Sequence, residues 1–227
     1  MGGGRDIITI DGPAGAGKTT LARALARSLG WTYLDTGAMY RAVGLAVGEA
    51  GADPADEAAV ARILSGLDLT VEPGNEATRV FLSGREVTEA IRRPHVSSLA
   101  SRVSVWPVVR REMVRLQRLL GVRDRIVVEG RDMGTVVFPE ARFKFFLEAS
   151  LEERAGRRAR ELESQGVRME AGEVEKEMAQ RDANDSTRSL APLRPAEDAI
   201  HLDSTGLEVA EVLARMLAQV RAGSGRT

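Results

Sequence analysis

The stretch Asp6-Ile7-Ile8-Thr9-Ile10-Asp11-Gly12-Pro13-Ala14-Gly15-Ala16-Gly17-Lys18-Thr19-Thr20 decides how this chain folds. Its first part is short, β-branched and ended by Gly12-Pro13, which predicts a buried strand stopped by a loop. Beyond the loop, apolar positions recur at helical spacing through Leu21, Ala22, Leu25 and Leu29, and Gly30 supplies the stop. Between strand and helix, Gly12 to Thr19 fits G-x-x-x-x-G-K-[ST], a match that chance would supply in about a few such chains per thousand. Glycines let a backbone wrap a polyphosphate with its N–H groups inward, and the helix start adds positive potential. Lys18 would reach the β- and γ-phosphates and the Thr19 hydroxyl would bind magnesium. The stretch reads as a nucleoside triphosphate site on a strand–loop–helix unit.

Working outward, further strands are predicted at Trp31–Leu34, Arg125–Val128, Lys144–Leu147 and Ala199–Leu202, each followed by helical sequence. The second helix is expected over Met39 to Ala50 and the last from about Leu207 to Val220. Strands alternating with helices imply an α/β chain with a parallel sheet covered on both faces. Two stretches break the rhythm. From about 51 to 105 there is a helix, with Asp53 as N-cap and Pro54 in its first turn, then strand-like pieces at Leu67–Val71, Arg79–Leu82 and near Val87. This reads as a small inserted α+β lobe. From Leu151 to about Glu175 runs a charged helical region opened by a capping box, Ser150 with Glu153. Gly166 and Gly172 interrupt it, which suits a mobile cover. Residues 222–227 read as a frayed tail.

Composition narrows the function. The 227 residues include 32 basic and 33 acidic side chains, a formal charge of −1, which argues against a protein that coats nucleic acid or anionic membrane. With 43% apolar and 29% charged residues the chain can bury a core, as one large domain or one domain with insertions. The absence of cysteine removes disulfides, thiolate metal sites and cysteine nucleophiles. His95 and His201 lie in unrelated contexts and read as ordinary residues. No membrane helix is seen and the opening Met1–Asp6 lacks the apolar core of a signal peptide, so a cytoplasmic location is expected. Of the 32 basic residues 29 are arginine, the lysines being Lys18, Lys144 and Lys176. Phe143 and Glu175 precede the latter two, so the guanine-reading Asn-Lys-x-Asp is absent.

The acceptor side is read from carboxylates and arginines. Glu129 ends the strand through Val127-Val128; it suits orientation of Mg²⁺ and its waters, or alternatively pairs with Arg131. Arg41, Arg92, Arg93, Arg110, Arg111, Arg131, Arg181 and Arg188 gather where strands end and loops begin. Arg131-Asp132 follows the strand expected beside the phosphate loop, and Arg181 through Arg188 sets Asp182, Asn184 and Asp185 between two guanidiniums. Arginine grips phosphate bidentately without titrating. A phosphate acceptor is already anionic near neutral pH, so charge neutralisation, rather than a general base, is the main task. Arg154 and Arg158, spaced i, i+4, can face a transferring phosphoryl group from the cover, while Arg157 and Arg160 either join them or lace a solvated helix.

At this point a family resemblance emerges. The loop Gly12–Thr20, then Leu34-Asp35-Thr36-Gly37-Ala38-Met39-Tyr40-Arg41, resemble the opening of bacterial cytidylate kinases. So do Glu129-Gly130-Arg131-Asp132-Met133-Gly134-Thr135-Val136-Val137-Phe138-Pro139, the run from Arg181 through Asp185, Arg188 and Ala191-Pro192-Leu193, and the closing Leu202-Asp203-Ser204-Thr205. The resemblance covers about residues 5 to 220. It implies a three-layer P-loop fold: a five-stranded parallel sheet flanked by helices, an inserted α+β lobe for the nucleoside monophosphate, and a short helical lid. Core segments would be 1–36, 106–153 and 173–227, the acceptor lobe 37–105 and the lid 154–172.

The implied reaction moves the γ-phosphoryl group of ATP to CMP or dCMP in a monomer that needs no nucleic acid or membrane. Gly12, Pro13, Ala14, Gly15, Ala16, Gly17, Lys18, Thr19 and Thr20 would hold ATP, with Thr19 and Glu129 at Mg²⁺. Ser101, Arg110 and Asp132 would read cytosine, Arg41, Arg131 and Arg188 hold the acceptor phosphate, and Thr36, Arg181 and Asp185 the sugar. Thr36 stands where the family often has serine and adds a methyl group. Lys18, Arg131, Arg154 and Arg158 would face the transferring group. Two competitors remain: a P-loop kinase of another small metabolite, and a non-catalytic nucleotide-dependent regulator.

Overall fold

The computed structural model describes residues 6–122, 125–188 and 190–224. Ile7–Asp11 is strand β1, buried along its whole length, and the glycine loop leads from it into helix α1, Lys18–Leu29. β2 (Thr32–Asp35) and α2 (Thr36–Glu49) follow. The later core elements are α5 (Pro107–Leu120), β6 (Ile126–Gly130), β7 (Phe143–Glu148), α6 (Leu151–Ser164), α7 (Ala171–Thr187), β8 (Ile200–Asp203) and α8 (Val209–Ser224). The five core strands form one parallel sheet in the order β2-β6-β1-β7-β8. Side chains alternate across it as the strand period requires. Ile8, Ile10, Val127 and Phe145 pack under α1 and α8, while Ile7, Leu34, Ile126 and Val128 face Met133, Val137 and Phe138. Register places Asp11 beside Gly130 and Asp35 beside Glu129, so the strands deliver their polar ends to one edge. In an open parallel sheet that carboxyl edge is where ligands bind.

Residues 57–103 make the inserted lobe: α3 (Glu57–Ser65), an antiparallel sheet of β3 (Leu69–Glu72), β4 (Arg79–Leu82) and β5 (Arg85–Glu86), and α4 (Pro94–Val103). Its core gathers Val80, Leu82, Val87, Ile91 and Val96 against Ala38 and Ala42 of α2. Two local expectations are corrected. The N-cap of α3 is Asp56, whose carboxylate accepts from Ala58 N (3.0 Å) and Ala59 N (3.1 Å). Asp53 instead closes a tight turn by accepting from Ala55 N at 2.9 Å, so the chain turns once around Pro54 before the helix starts. Gly172 lies inside α7 and does not interrupt it; the break falls at Gly166, whose φ of 77° suits only glycine well. α8 continues to Ser224, so the tail read from residue 222 is helical there, and residues 225–227 lie outside the described residues. Among the described residues no helix is long and apolar enough to cross a membrane.

The lobe is joined to the core by α2, which packs along α4 at a glycine. A Cβ at Gly44 would sit 2.7 Å from Ala100 N and 3.1 Å from its Cα, both backbone atoms that cannot swing aside. Gly44→Ala should therefore force α4 outward and cost about 1–3 kcal/mol. A thermal melt of the variant would show this as a lowered midpoint; an unchanged midpoint would mean the helix contact is looser than described.

Candidate active site

The site is assembled from the carboxyl ends of β1, β2 and β6 and closed over by α6 and α7. Gly12, Gly15 and Gly17 take φ values of 148°, 75° and 90°, which L side chains seldom adopt. A Cβ at Gly12 would also collide with the Leu147 carbonyl, so only glycine permits β7 to approach the loop. α1 begins at Gly17 without a side-chain cap, leaving its first N–H groups turned toward the loop. Lys18 is buried and donates to the Pro13 carbonyl at 2.5 Å. Burial, with Arg131 beside it, holds its ammonium well below the usual lysine range. That is the condition of a cation waiting for an anion.

Glu129 is held by two hydroxyl groups and forms no hydrogen bond with Arg131. Thr19 Oγ1 donates to its Oε2 at 3.1 Å, and the Tyr33 hydroxyl donates to Oε1. Arg131 turns away, its Nε donating to Asp185 Oδ2 at 2.8 Å. Burial and the nearby Asp35 raise the Glu129 carboxyl. Asp35 itself caps α2 by accepting from Ala38 N at 3.0 Å and pairs with Arg41 at 2.6 Å. Thr36 donates its hydroxyl proton to the Glu129 carbonyl at 2.6 Å, which fixes the start of α2 against β6.

The acceptor side is a chain of ion pairs. Asp185 joins Arg131 to Arg188, whose Nη1 lies 3.3 Å from Asp185 Oδ1. Arg188 Nη2 lies 3.7 Å from Asp132 Oδ1, and Asp132 Oδ2 accepts from Arg110 Nη2 at 2.5 Å. The flanking guanidiniums hold the Asp185 carboxyl below its ordinary value despite its burial. Arg181 has the opposite fate: burial, then Arg131, Arg41 and Arg158, push it down to about 10 although Asp185 offsets part of this. Lys18, Arg41, Arg131, Arg158 and Arg181 thus converge, and among the described residues Lys18 and Arg181 have no ion-pair partner of their own, whereas Arg41, Arg131 and Arg158 are paired.

The sequence expectations meet the structure unevenly. Ser101 lies half-buried on α4, and among the described residues no hydrogen bond ties it to Arg110 or Asp132. Arg154 is buried and committed, donating to Ala149 O (2.9 Å), Ala14 O (3.3 Å) and Asp182 (2.5 Å). Arg158 pairs with Glu161 at 2.7 Å. Arg157 does lace the helix, pairing with Glu153 at 3.0 Å, but it also reaches inward, donating to Ser204 O at 2.8 Å and Ser204 Oγ at 3.1 Å, and that hydroxyl lies 3.2 Å from Ala16 O. Arg160 does face solvent. Arg92, gathered with the site arginines by sequence, forms only a loose surface pair with Glu89.

Three contributors escaped sequence reading. Asp11 ends β1 and accepts from Met133 N (2.9 Å) and Gly134 N (2.8 Å), clamping the π-helical turn Met133–Val137 that follows Asp132. Its position directly before the glycine loop was the available signal. Tyr33 and Gln117 gave none, since a strand tyrosine and a helix glutamine carry no motif.

A glycine-loop triphosphate cradle beside an arginine-rich pocket for a second anion defines a P-loop phosphotransferase. A protein-family model described as cytidylate kinase matches residues 8–222, and the chain belongs to that family. It is 50% identical over 210 residues to a cytidylate kinase of Carboxydothermus hydrogenoformans, covering 92% of this chain and 95% of that one. With a cytidylate kinase of Geobacter sulfurreducens the identity is 47%, over 95% and 92% of the two chains. Among solved structures, an uncharacterized protein from Eubacterium ventriosum superposes with a TM-score of 0.51 at 12% identity, covering 95% of this chain and 98% of that one, a likeness of fold.

Asp11 provides a test of the clamp. Burial pushes its carboxyl up to about 6 even though the Met133 and Gly134 N–H groups pull it down. The folded chain then holds this proton more tightly than the unfolded one, so the native state is favoured at low pH and loses that advantage as pH rises through about 6. From pH 5 to 7 the loss is about 1 kcal/mol. Asp11→Asn has no proton to lose there, and its urea-derived stability should fall less over that range by this amount. Parallel pH curves for the two proteins would refute the assignment.

Proposed function

We propose that this chain transfers the γ-phosphoryl group of ATP to CMP or dCMP, giving CDP or dCDP and ADP. The observation that carries the acceptor assignment is the Arg110–Asp132 pair, 2.5 Å apart with side chains 2% and 3% exposed. Fixed donors and a fixed acceptor stand side by side there. Cytosine offers the complement: a ring nitrogen and carbonyl that accept, and an exocyclic amine that donates. Uracil would set a carbonyl oxygen against the Asp132 carboxylate, and the unpaired buried groups reject it.

Arg41, Arg131 and Arg188 would hold the acceptor phosphate, and Thr36, Arg181 and Asp185 the sugar, with Ser101 at the base. The cation excess around Arg181 supports this, because bringing two phosphates together is unfavourable until positive charge offsets it. The acceptor oxygen bonds to the γ-phosphorus as the β–γ bridge opens and its electrons leave on ADP. No general base is required, since the second phosphate pKa is about 6. Lys18 and the uncapped start of α1 would hold the donor along Gly12–Thr20, with Arg154 and Arg158 turning from Asp182 and Glu161 to face the transferring group as the lid closes. Thr19 and Glu129 are adjacent oxygen donors and suit Mg²⁺ shared with the phosphates. Among the described residues no three acidic or histidine side chains cluster to hold an ion alone. When bound, the ion supplies further charge neutralisation. The lobe 37–105 and the lid 154–172 would close to exclude water, in a cytoplasmic monomer.

The deciding experiment follows ADP release with CMP, dCMP, UMP, AMP, GMP and shikimate as acceptors. CMP and dCMP should lead; equal turnover of any other acceptor sinks the base assignment. Lys18→Ala should lower turnover by about a thousandfold or more while the circular dichroism spectrum persists. Near-normal rates in a folded Lys18→Ala protein would remove the loop from the mechanism.

A further inference from the structure

Behind the Arg110–Asp132 pair lie two polar side chains, Gln117 and Tyr40, that the reaction above does not use. Gln117, on α5, is 0% exposed, yet neither its amide nitrogen nor its carbonyl oxygen has a partner at ordinary hydrogen-bond distance. Tyr40 Oη, Arg110 Nε and Arg188 Nη2 likewise lack a close hydrogen bond, although Arg188 Nη2 stands 3.7 Å from Asp132 Oδ1 and the Tyr40 hydroxyl is near the Gln117 amide. Five of the ten such atoms among the described residues belong to these four side chains, so the deficit is concentrated rather than scattered. Residues 110 and 117 lie two turns apart on one face of α5, and helical side chains lean toward the N-terminus, which carries the Gln117 amide toward Arg110. Tyr40, on α2, bridges them. Its ring lies 5.7 Å from the Arg110 guanidinium, and its hydroxyl, pushed up to about 12 by burial, faces the Gln117 amide.

Nothing in the packing of α5 asks for an amide here. Its neighbours along α5, Met113, Val114, Leu116 and Leu120, all belong to apolar clusters, and an apolar residue of similar volume would leave no polar atom unsatisfied. Neighbouring buried groups whose hydrogen-bonding atoms are left open to one another point to a small side-chain adjustment that pairs them when the acceptor binds. Resting on the acceptor assignment above, we infer that Gln117 is a positioning residue for base recognition. Its carbonyl takes the Nε–H of Arg110 and its amide N–H supports the Tyr40 hydroxyl, so that the guanidinium is fixed at the tilt that meets the base edge. Arg110 has one Nη occupied by Asp132, and a second anchor at Nε removes the remaining rotation. Selectivity then depends on a residue that never touches the nucleotide.

The test is Gln117→Leu, measured for KM and kcat with CMP and UMP, for KM with ATP, and for melting temperature. The expected result is a rise of about tenfold in KM for CMP and a smaller CMP-over-UMP preference, with kcat and the ATP KM within about threefold. The melting temperature should stay the same or rise, because two unsatisfied polar atoms leave the core. Tyr40→Phe should act in the same direction, and the double variant should lose less than the two effects combined. An unchanged CMP KM and preference overturns the inference, as does a KM rise that accompanies a lower melting temperature and an equal rise for ATP. If the leucine variant does not fold, Gln117→Met is read instead; failure of both to fold shows a structural role and overturns the inference too. If the parent protein itself does not phosphorylate CMP, the acceptor assignment has failed, which is a different result.

Discussion

One chain of charges holds the acceptor side together: Arg131, Asp185, Arg188, Asp132 and Arg110 are linked end to end by distances of 2.8, 3.3, 3.7 and 2.5 Å. It runs from the end of β6 to α7 and back to α5. Taking such groups from water is costly, and a buried ion pair gains little over a hydrophobic contact of the same size. Removing one member is another matter, costing about 3–5 kcal/mol because a charge is left stranded. The chain therefore fixes where α7 sits relative to the sheet more than it adds to stability.

The same electrostatics explain why the site is poised rather than satisfied. Lys18 sits well below the ordinary lysine range, and Arg181, at about 10, below the arginine range, through burial and neighbouring cations. A protein selected for stability alone would give each a direct ion-pair partner, where Glu129 and Asp185 now offset only part of the burial cost. The surplus has its use in holding two polyanionic substrates against each other, in a place where the surrounding protein makes each charge count for more than it would in water. Asp11 ties the two halves of this arrangement. It ends the strand that leads into the glycine loop, and its carboxylate accepts the N–H groups of the turn that presents Asp132.

Much of the fold was legible because it rests on local rules. The β-branched run to Asp11, the glycine loop and the helix period after it predict β1 and α1, and the later strands fall within a residue or two of their expected places. The errors came where two local signals competed. Asp53 before Pro54 reads as a cap, yet it makes a tight turn around that proline and leaves Asp56 to cap the helix. Gly172 reads as a breaker, yet one glycine costs only about 1 kcal/mol in a helix. α7 absorbs that cost through the packing of Val174 and Met178 and the ion pairs of Asp182 and Asp185.

By itself, then, the sequence determined the sheet, the phosphate loop and the residue types of the acceptor pocket, since each is written in contiguous residues with a fixed spacing. It could not say which arginines would meet. Arg157 reads like Arg160 in sequence, but one reaches Ser204 beneath the phosphate loop and the other faces solvent. Nor could it reveal that Tyr33 holds Glu129, that Asp11 clamps residues 133 and 134, or that Gln117 is buried with both polar atoms unpaired. Those outcomes depend on groups up to more than a hundred positions apart being brought to the same edge of the sheet. Burial and pairing are properties of that meeting, and only the tertiary structure decides them.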